Sequence, residues 1–119
     1  MNIFTEKLEA LTIVIVDCES LDDMGIVSSA ITRSEEGHKN IILDLAQTST
    51  IVFSELIKLE EIQNSLDLIE KSFVICGVNN DLQSAFNEKF GEDFFNIVPT
   101  RNEAVDMVYM EEQERSFFN

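Results

Sequence analysis

Two aspartates close apolar, β-branched runs: Asp17 ends LTIVIVD, and Asp44 stands in NIILDL. A carboxylate at a strand end is where an α/β protein can hold a hard cation or accept a phosphoryl group, because such cations take oxygen ligands. That chemistry asks for a paired acid and a lysine nearby. Here Cys18 follows Asp17, Leu45 follows Asp44, and the last apolar run leads into Val98, Pro99, Thr100 and Arg101. The stretch between the aspartates holds one crossover helix, not two helices and a strand. Glu19, Asp22 and Asp23 are a second oxygen set, but SLDD reads more simply as a Ser20 N-cap followed by acids in a first helical turn. His38, in SEEGHKN, has no Ser, Cys or second His in reach and reads as a solvated loop histidine. Cys18 and Cys76 form no CxxC or Cys/His pattern, so they read as buried, inert thiols. Gly77 and Gly91 stand alone, and no glycine-rich phosphate loop is present. The sequence therefore proposes no catalytic residue, no metal ligand and no cofactor.

The elements that position these residues follow from periodicity. Residues 3–8, 11–18, 40–45, 72–76 and 94–98 are short apolar runs of strand type, and 11–18 and 40–45 have the continuous apolar character of buried parallel strands. Between them the period becomes helical. Met24, Val27 and Ile31 form one stripe over residues 21–33, and Val52, Leu56, Leu59, Ile62, Leu66 and Ile69 form another over 52–69. Leu82 and Phe86 mark residues 80–90; Thr100, with Glu103 three residues on, opens a fourth helix over 100–111 through a capping box. Strands alternating with helices predict a single α/β domain over residues 1–112: a mostly parallel sheet of four to five strands, about four helices, and an antiparallel first strand at one edge. Residues 113–119 are expected to be a tail whose Phe117 and Phe118 either close onto the core or offer an apolar dimer contact.

Charge narrows the partners. With 23 acids against 8 bases the 119-residue chain carries a net charge of −15, a field that repels phosphate backbones and anionic membranes. Nucleic acid is an unexpected partner; a protein with basic character is an easier one. No run approaches the roughly 20 apolar residues of a membrane span, and the start lacks a basic region followed by an apolar one. A cytoplasmic location is expected.

Residues 40–56, NIILDLAQTSTIVFSEL, predict a strand, a short loop at its carboxyl end and the opening of a helix, which is where α/β proteins place ligands and partners. The loop holds no His, Cys, Lys or paired carboxylate, so it reads as a docking surface. This segment and the order of elements resemble the STAS domains, the family of bacterial anti-sigma factor antagonists and of sulfate-transporter cytoplasmic domains. In that family a strand of the LDL type leads into an Asp-Ser-Ser-Gly-Leu segment that starts a helix. Aligned without a gap, Val52, Phe53, Ser54, Glu55 and Leu56 occupy those five positions, so Ser54 and Leu56 match. The closing stretch SFVICGVNNDLQSAFNEKFGEDFFNIVPTRNEAVDMV resembles the family's last strand, helix, strand and helix, which extends the likeness over residues 3–110.

The resemblance implies a non-catalytic domain that binds a protein partner, typically an anti-sigma factor with serine-kinase activity, and releases it when the first Ser of the motif is phosphorylated. Phe53 stands at that position, so the usual serine switch is expected to be lacking. The expected contact set is Thr48, Ser49, Thr50, Val52, Phe53, Ser54 and Glu55. Ser54 is the candidate phosphorylation site, and Ser49 or Thr50 is expected to cap the helix. Phe53 either turns inward onto the first helical turn or presents its ring as an interface anchor. A homo-oligomeric structural or small-ligand-binding module of the same fold is the alternative function. A third is a domain resembling the response-regulator receivers, phosphorylated on Asp17 or Asp44.

Overall fold

A computed structural model describes residues 1–34 and 40–118; His38 lies outside them. The chain runs β1 (Asn2–Lys7), β2 (Leu11–Asp17), β3 (Ser20–Leu21), α1 (Met24–Ser34), β4 (Asn40–Asp44), β5 (Thr50–Ile51), a 3-10 turn (Phe53–Glu55), α2 (Leu56–Leu68), β6 (Phe73–Cys76), α3 (Asn80–Phe90), β7 (Asn96–Val98) and α4 (Arg101–Phe118). Five strands form one sheet in the order β1-β2-β4-β6-β7. The β1–β2 pair is antiparallel and the other three pairs are parallel. This is the predicted mostly parallel sheet with an antiparallel edge strand.

Central strands β4 and β6 are buried along their whole length, as strands covered by helices on both faces must be. On one face Val14, Val16, Ile41, Leu43, Phe73 and Ile75 meet the apolar stripes of α1, α2 and α3: Met24, Val27 and Ile31, then Leu56, Leu59 and Leu66, then Phe86. On the other, Ile13, Ile42, Val74 and Cys76 meet Ala104 and Val108 of α4. Alternation along each strand thus feeds two apolar layers, one under three helices and one under a single helix. Phe73, Phe86, Phe90, Phe94 and Phe95 pack edge-to-face, tilted or stacked at centroid separations of 4.8–6.4 Å and close the end of the larger layer.

Three boundaries differ from the sequence-based expectation. The first helix begins at Met24, not residue 21, because Ser20 and Leu21 pair with Thr50 and Ile51 as a separate two-stranded parallel sheet. Leu21 is fully buried there. Ser20 is therefore a strand residue and not an N-cap; the Asp23 carboxylate accepts from the Gly25 N–H (2.9 Å) instead. The second helix begins at Leu56, since the same pairing holds residues 50–51 extended and a 3-10 turn intervenes. Neither Ser49 nor Thr50 caps it. The last helix continues through residues 113–118, and Phe117 is exposed. At its start Thr100 Oγ1 accepts from the Glu103 N–H (3.2 Å), as the capping box requires.

Of the two cysteines, Cys76 is buried and Cys18 half-buried. With β4 lying between β2 and β6, the two thiols are not neighbours. Burial, and then the charge of Asp44, pushes the Cys76 thiol up to about 12, so it stays protonated near neutral pH.

Candidate functional site

The corner beyond the carboxyl ends of β2 and β4 is held by main-chain bonds between segments distant in sequence. The Glu19 carbonyl accepts from the N–H groups of Ser49 (2.8 Å) and Thr50 (3.1 Å), and the Leu21 carbonyl from Val52 (2.9 Å). Thr50 Oγ1 donates to Ser20 Oγ at 3.1 Å. On the other side Asn79 Nδ2 donates to the Ser49 carbonyl (2.9 Å), while Asn79 Oδ1 accepts from the Leu82 N–H (2.8 Å) and caps α3. One side chain thus ties the corner to a helix start. Gly77 permits the close approach that this needs. Its φ is +76°, and a Cβ there would lie 2.9 Å from both the Cβ and the backbone nitrogen of Ala46, nearer than real Cβ contacts come.

The expected contact residues separate into two groups. Thr48 is buried, with its N–H on the Leu45 carbonyl (3.0 Å), and its hydroxyl has no partner among the described residues. Glu55 is half-buried and turned inward: Oε1 accepts from the Met24 N–H at 2.9 Å and lies 3.4 Å from Lys58 Nζ. It serves as the N-terminal cap of α1 from across the fold, where a negative charge favours the helix dipole. Ser49, Thr50, Val52, Phe53 and Ser54 face outward.

Phe53 does not pack inward. The residue is 71% exposed, and Val52 before it and Ile57 four residues on are also exposed. Lys89 Nζ, from α3, sits 4.6 Å from the Phe53 ring centroid and 5.7 Å from that of Phe90. At an exposed site such a cation–π contact is worth roughly 0.5–1 kcal/mol, enough to orient the ring and too little to withhold it from a partner. Asn79, Lys89 and Ile57 are the corner residues that the sequence reading missed. The pattern of Asn79 before a helical period carries an N-cap signal; the Lys89–Phe53 contact, made between two helices, carries no local one.

Asp44 is not poised for phosphoryl chemistry. It is buried; Oδ1 accepts from the Ala46 N–H (2.9 Å), and Oδ2 accepts from Arg101 Nε (3.0 Å) and Nη2 (2.7 Å). Both oxygens are therefore engaged by the chain itself. The bond to Asp44 in turn holds the Arg101 guanidinium above its ordinary pKa. Asp17 is exposed two residues beyond Ile15, the register partner of Asp44. Among the described residues, no group of three His, Cys, Asp or Glu side chains is arranged to hold a metal ion, and no helix is long and apolar enough to cross a membrane.

No protein-family model and no curated protein sequence matches the chain. Solved structures do. The anti-sigma factor antagonist SpoIIAA in its unphosphorylated form superposes with a TM-score of 0.73 over 91% of this chain and 96% of that one, at 13% sequence identity. At that identity the likeness establishes architecture: the chain has the α/β fold of SpoIIAA, the STAS fold.

Proposed function

We propose that this chain is a non-catalytic protein-interaction domain, similar to an anti-sigma factor antagonist, which docks a protein partner through the Thr48–Glu55 corner without the family's usual serine switch. One observation carries the reading: the phenylalanine at the position of the acceptor serine is 71% exposed. An aromatic side chain held outward on a hydrogen-bonded corner loses little conformational freedom on binding, which is what interface anchors require. Ser49, Thr50, Val52 and Ser54 surround it; Thr48 and Glu55 support the backbone that presents it. The net charge of −15 favours a partner with a basic docking face, such as an anti-sigma factor of the serine-kinase class. It also argues against nucleic acid as a partner, and a cytoplasmic setting fits that role.

The test is co-purification with a kinase-type anti-sigma factor, comparing the intact chain with Phe53→Asp. Recovery should fall by roughly tenfold or more, the loss typical of an aromatic anchor; undiminished recovery removes the corner from the interface. Mass spectrometry after incubation with that partner and ATP tests the switch. An unchanged mass fits the proposal, whereas a phosphate on Ser54 would restore a switch moved by one residue, adding about −1.5 to −2 charges beside the start of α2.

A second reading, a homo-oligomeric or small-ligand module, has its own observation. The outer face of α4 exposes Tyr109, Met110 and Phe117, and a shallow cavity of about 660 Å³ runs beside Tyr109 and Met110. Sedimentation of the intact chain separates the two: a dimer abolished by Met110→Glu would favour the second.

A further inference from the structure

The open edge of the main sheet, where β1 pairs with β2 alone among the described residues, carries a trough toward α1. Side chains alternate along a strand, so Ile3, Thr5 and Lys7 share one face of β1. They line a cavity of about 340 Å³ with Ile26, Ala30 and Arg33 of α1. The trough has direction. Ile3 packs against the larger apolar layer, and Ile26, two residues into α1, is exposed beside it. Lys7 and Arg33 stand at the other end, at the last residue of β1 and in the last turn of α1.

These two cations are distinctive in an acidic chain. Every other described lysine and arginine is engaged: Lys58 with Glu55, Lys71 and Arg115 with Glu112, Arg101 with Asp44, and Lys89 with the Phe53 ring. Lys7 and Arg33 have no such partner among the described residues. Two positive charges and a row of strand N–H and C=O groups, each without a partner among the described residues, together with an apolar floor, call for a ligand that satisfies all three. A small amphipathic anion would use the first two and leave the strand edge unpaired. A second copy of this chain would bring its own charge of −15.

We propose that β1 accepts an extended, acidic segment of a partner protein as an added strand, with an apolar side chain over Ile3 and Ile26 and a carboxylate four residues along between Lys7 and Arg33. Four residues of strand span about 13 Å, matching the Ile3-to-Lys7 separation in register. Strand addition supplies affinity through the main chain, and the trough selects the side chains that alternate into it. This surface shares no residue with the Phe53 corner, so the proposal stands apart from the function proposed above.

The experiment titrates the ¹⁵N-labelled full chain with an acetylated, amidated nine-residue peptide carrying Ile and Glu four positions apart in a Ser/Thr background. The expected result is amide shift changes concentrated in Asn2–Lys7, and binding weakened about fivefold or more in Lys7→Gln/Arg33→Gln, the loss of two exposed charge contacts. Circular dichroism confirms that the variant is folded. The proposal is overturned if a peptide with Gln in place of Glu binds equally well, if the double variant binds unchanged, or if the shifts map to β7. It is also overturned if decanoate shifts the trough residues while the peptide does not, or if the chain dimerises through β1 and excludes the peptide.

Discussion

Strand β4 begins and ends on a buried polar residue, and the two ends are finished differently. At the amino end Asn40 is saturated. Its Nδ2 donates to the Ala10 carbonyl (2.8 Å) and to Glu112 Oε1 (3.0 Å), and its Oδ1 accepts from the Ser72 N–H (2.8 Å) and Arg115 Nη2 (3.2 Å). Arg115 closes the circuit on Glu112 at 2.6 Å, with Lys71 at 3.8 Å. This clamp joins β2, β4, the start of β6 and the last turns of α4, and buries polar groups to do so. At the carboxyl end Asp44 is held as tightly, but the chain beyond it turns outward into an exposed Val52, Phe53 and Ser54. Both ends are saturated in polar bonds, and what separates them is the exposed apolar area beyond Asp44, which leaves that end free to meet something else.

The largest test of that contrast is Asn40→Leu. The apolar side chain leaves the Ser72 N–H buried without its partner and the half-buried Ala10 carbonyl with only the main-chain bond from residue 40 (3.4 Å), a loss of about 3 kcal/mol, which lowers Tm by roughly 10 °C in a domain of this size. Phe53-dependent recovery of partner by the molecules that remain folded should not change. A Tm drop of less than about 3 °C would show that the clamp is ornamental to stability.

Gly77→Ala probes the support beneath the corner. A Cβ at φ +76° carries the left-handed penalty and meets Ala46 at 2.9 Å, together about 2 kcal/mol. Because the residue pushed aside opens the proposed docking loop, stability and partner recovery should fall together. Thermal melts and pull-downs on the same preparation check this. A variant that loses stability and binds normally would separate the corner from its scaffold.

Sequence reading reached the frame of this contrast and missed its joints, for physical reasons. Continuous apolar runs such as NIILDL and the stripes Met24-Val27-Ile31 and Leu56-Leu59-Ile62-Leu66 report burial directly, so the sheet and the helical cores followed. Two-residue strands such as Ser20–Leu21 and Thr50–Ile51 are too short to show a period, and pairing them moved two helix starts by three to four residues. Glu55 looked like a contact residue because nothing local reveals that its carboxylate caps α1 at Met24. Lys89 over Phe53 is equally non-local. Phe53 itself stood out through alignment to the STAS pattern; that it faces outward needed the fold.

Thr48→Val sharpens the contrast in the opposite direction. The Thr48 hydroxyl is buried at the corner without a partner among the described residues, so an isosteric methyl removes a desolvation cost and should stabilise by about 0.5–1 kcal/mol, a Tm rise of a few degrees. Asn40 and Thr48 are both buried polar residues, yet apolar replacement should have opposite signs at the two ends. Destabilisation by Thr48→Val would mean that its hydroxyl does structural work at the corner.

The smallest expected effect is a pH dependence confined to the amino-end clamp. The hydrogen bond from Arg115, followed by that from Asn40 and the charge of Lys71, holds the Glu112 carboxyl below its ordinary value of 4.5, against the opposing effect of burial. A carboxyl whose folded value is depressed stabilises fully above its unfolded value and loses that contribution as pH falls through the folded one. The Tm difference between the intact chain and Glu112→Gln should therefore be constant at pH 6 and above, and shrink on acidification below about 4.5. Comparing the two proteins cancels the general relief of self-repulsion that acid brings to a chain of net charge −15. Phe53→Ala should show no matching loss at low pH, because the ring takes no part in the clamp and the substitution adds no titratable group. A Glu112→Gln difference that stayed flat to pH 3 would mean that the α4 end is held by Asn40 alone, and that the charge at this end of the sheet is surface decoration.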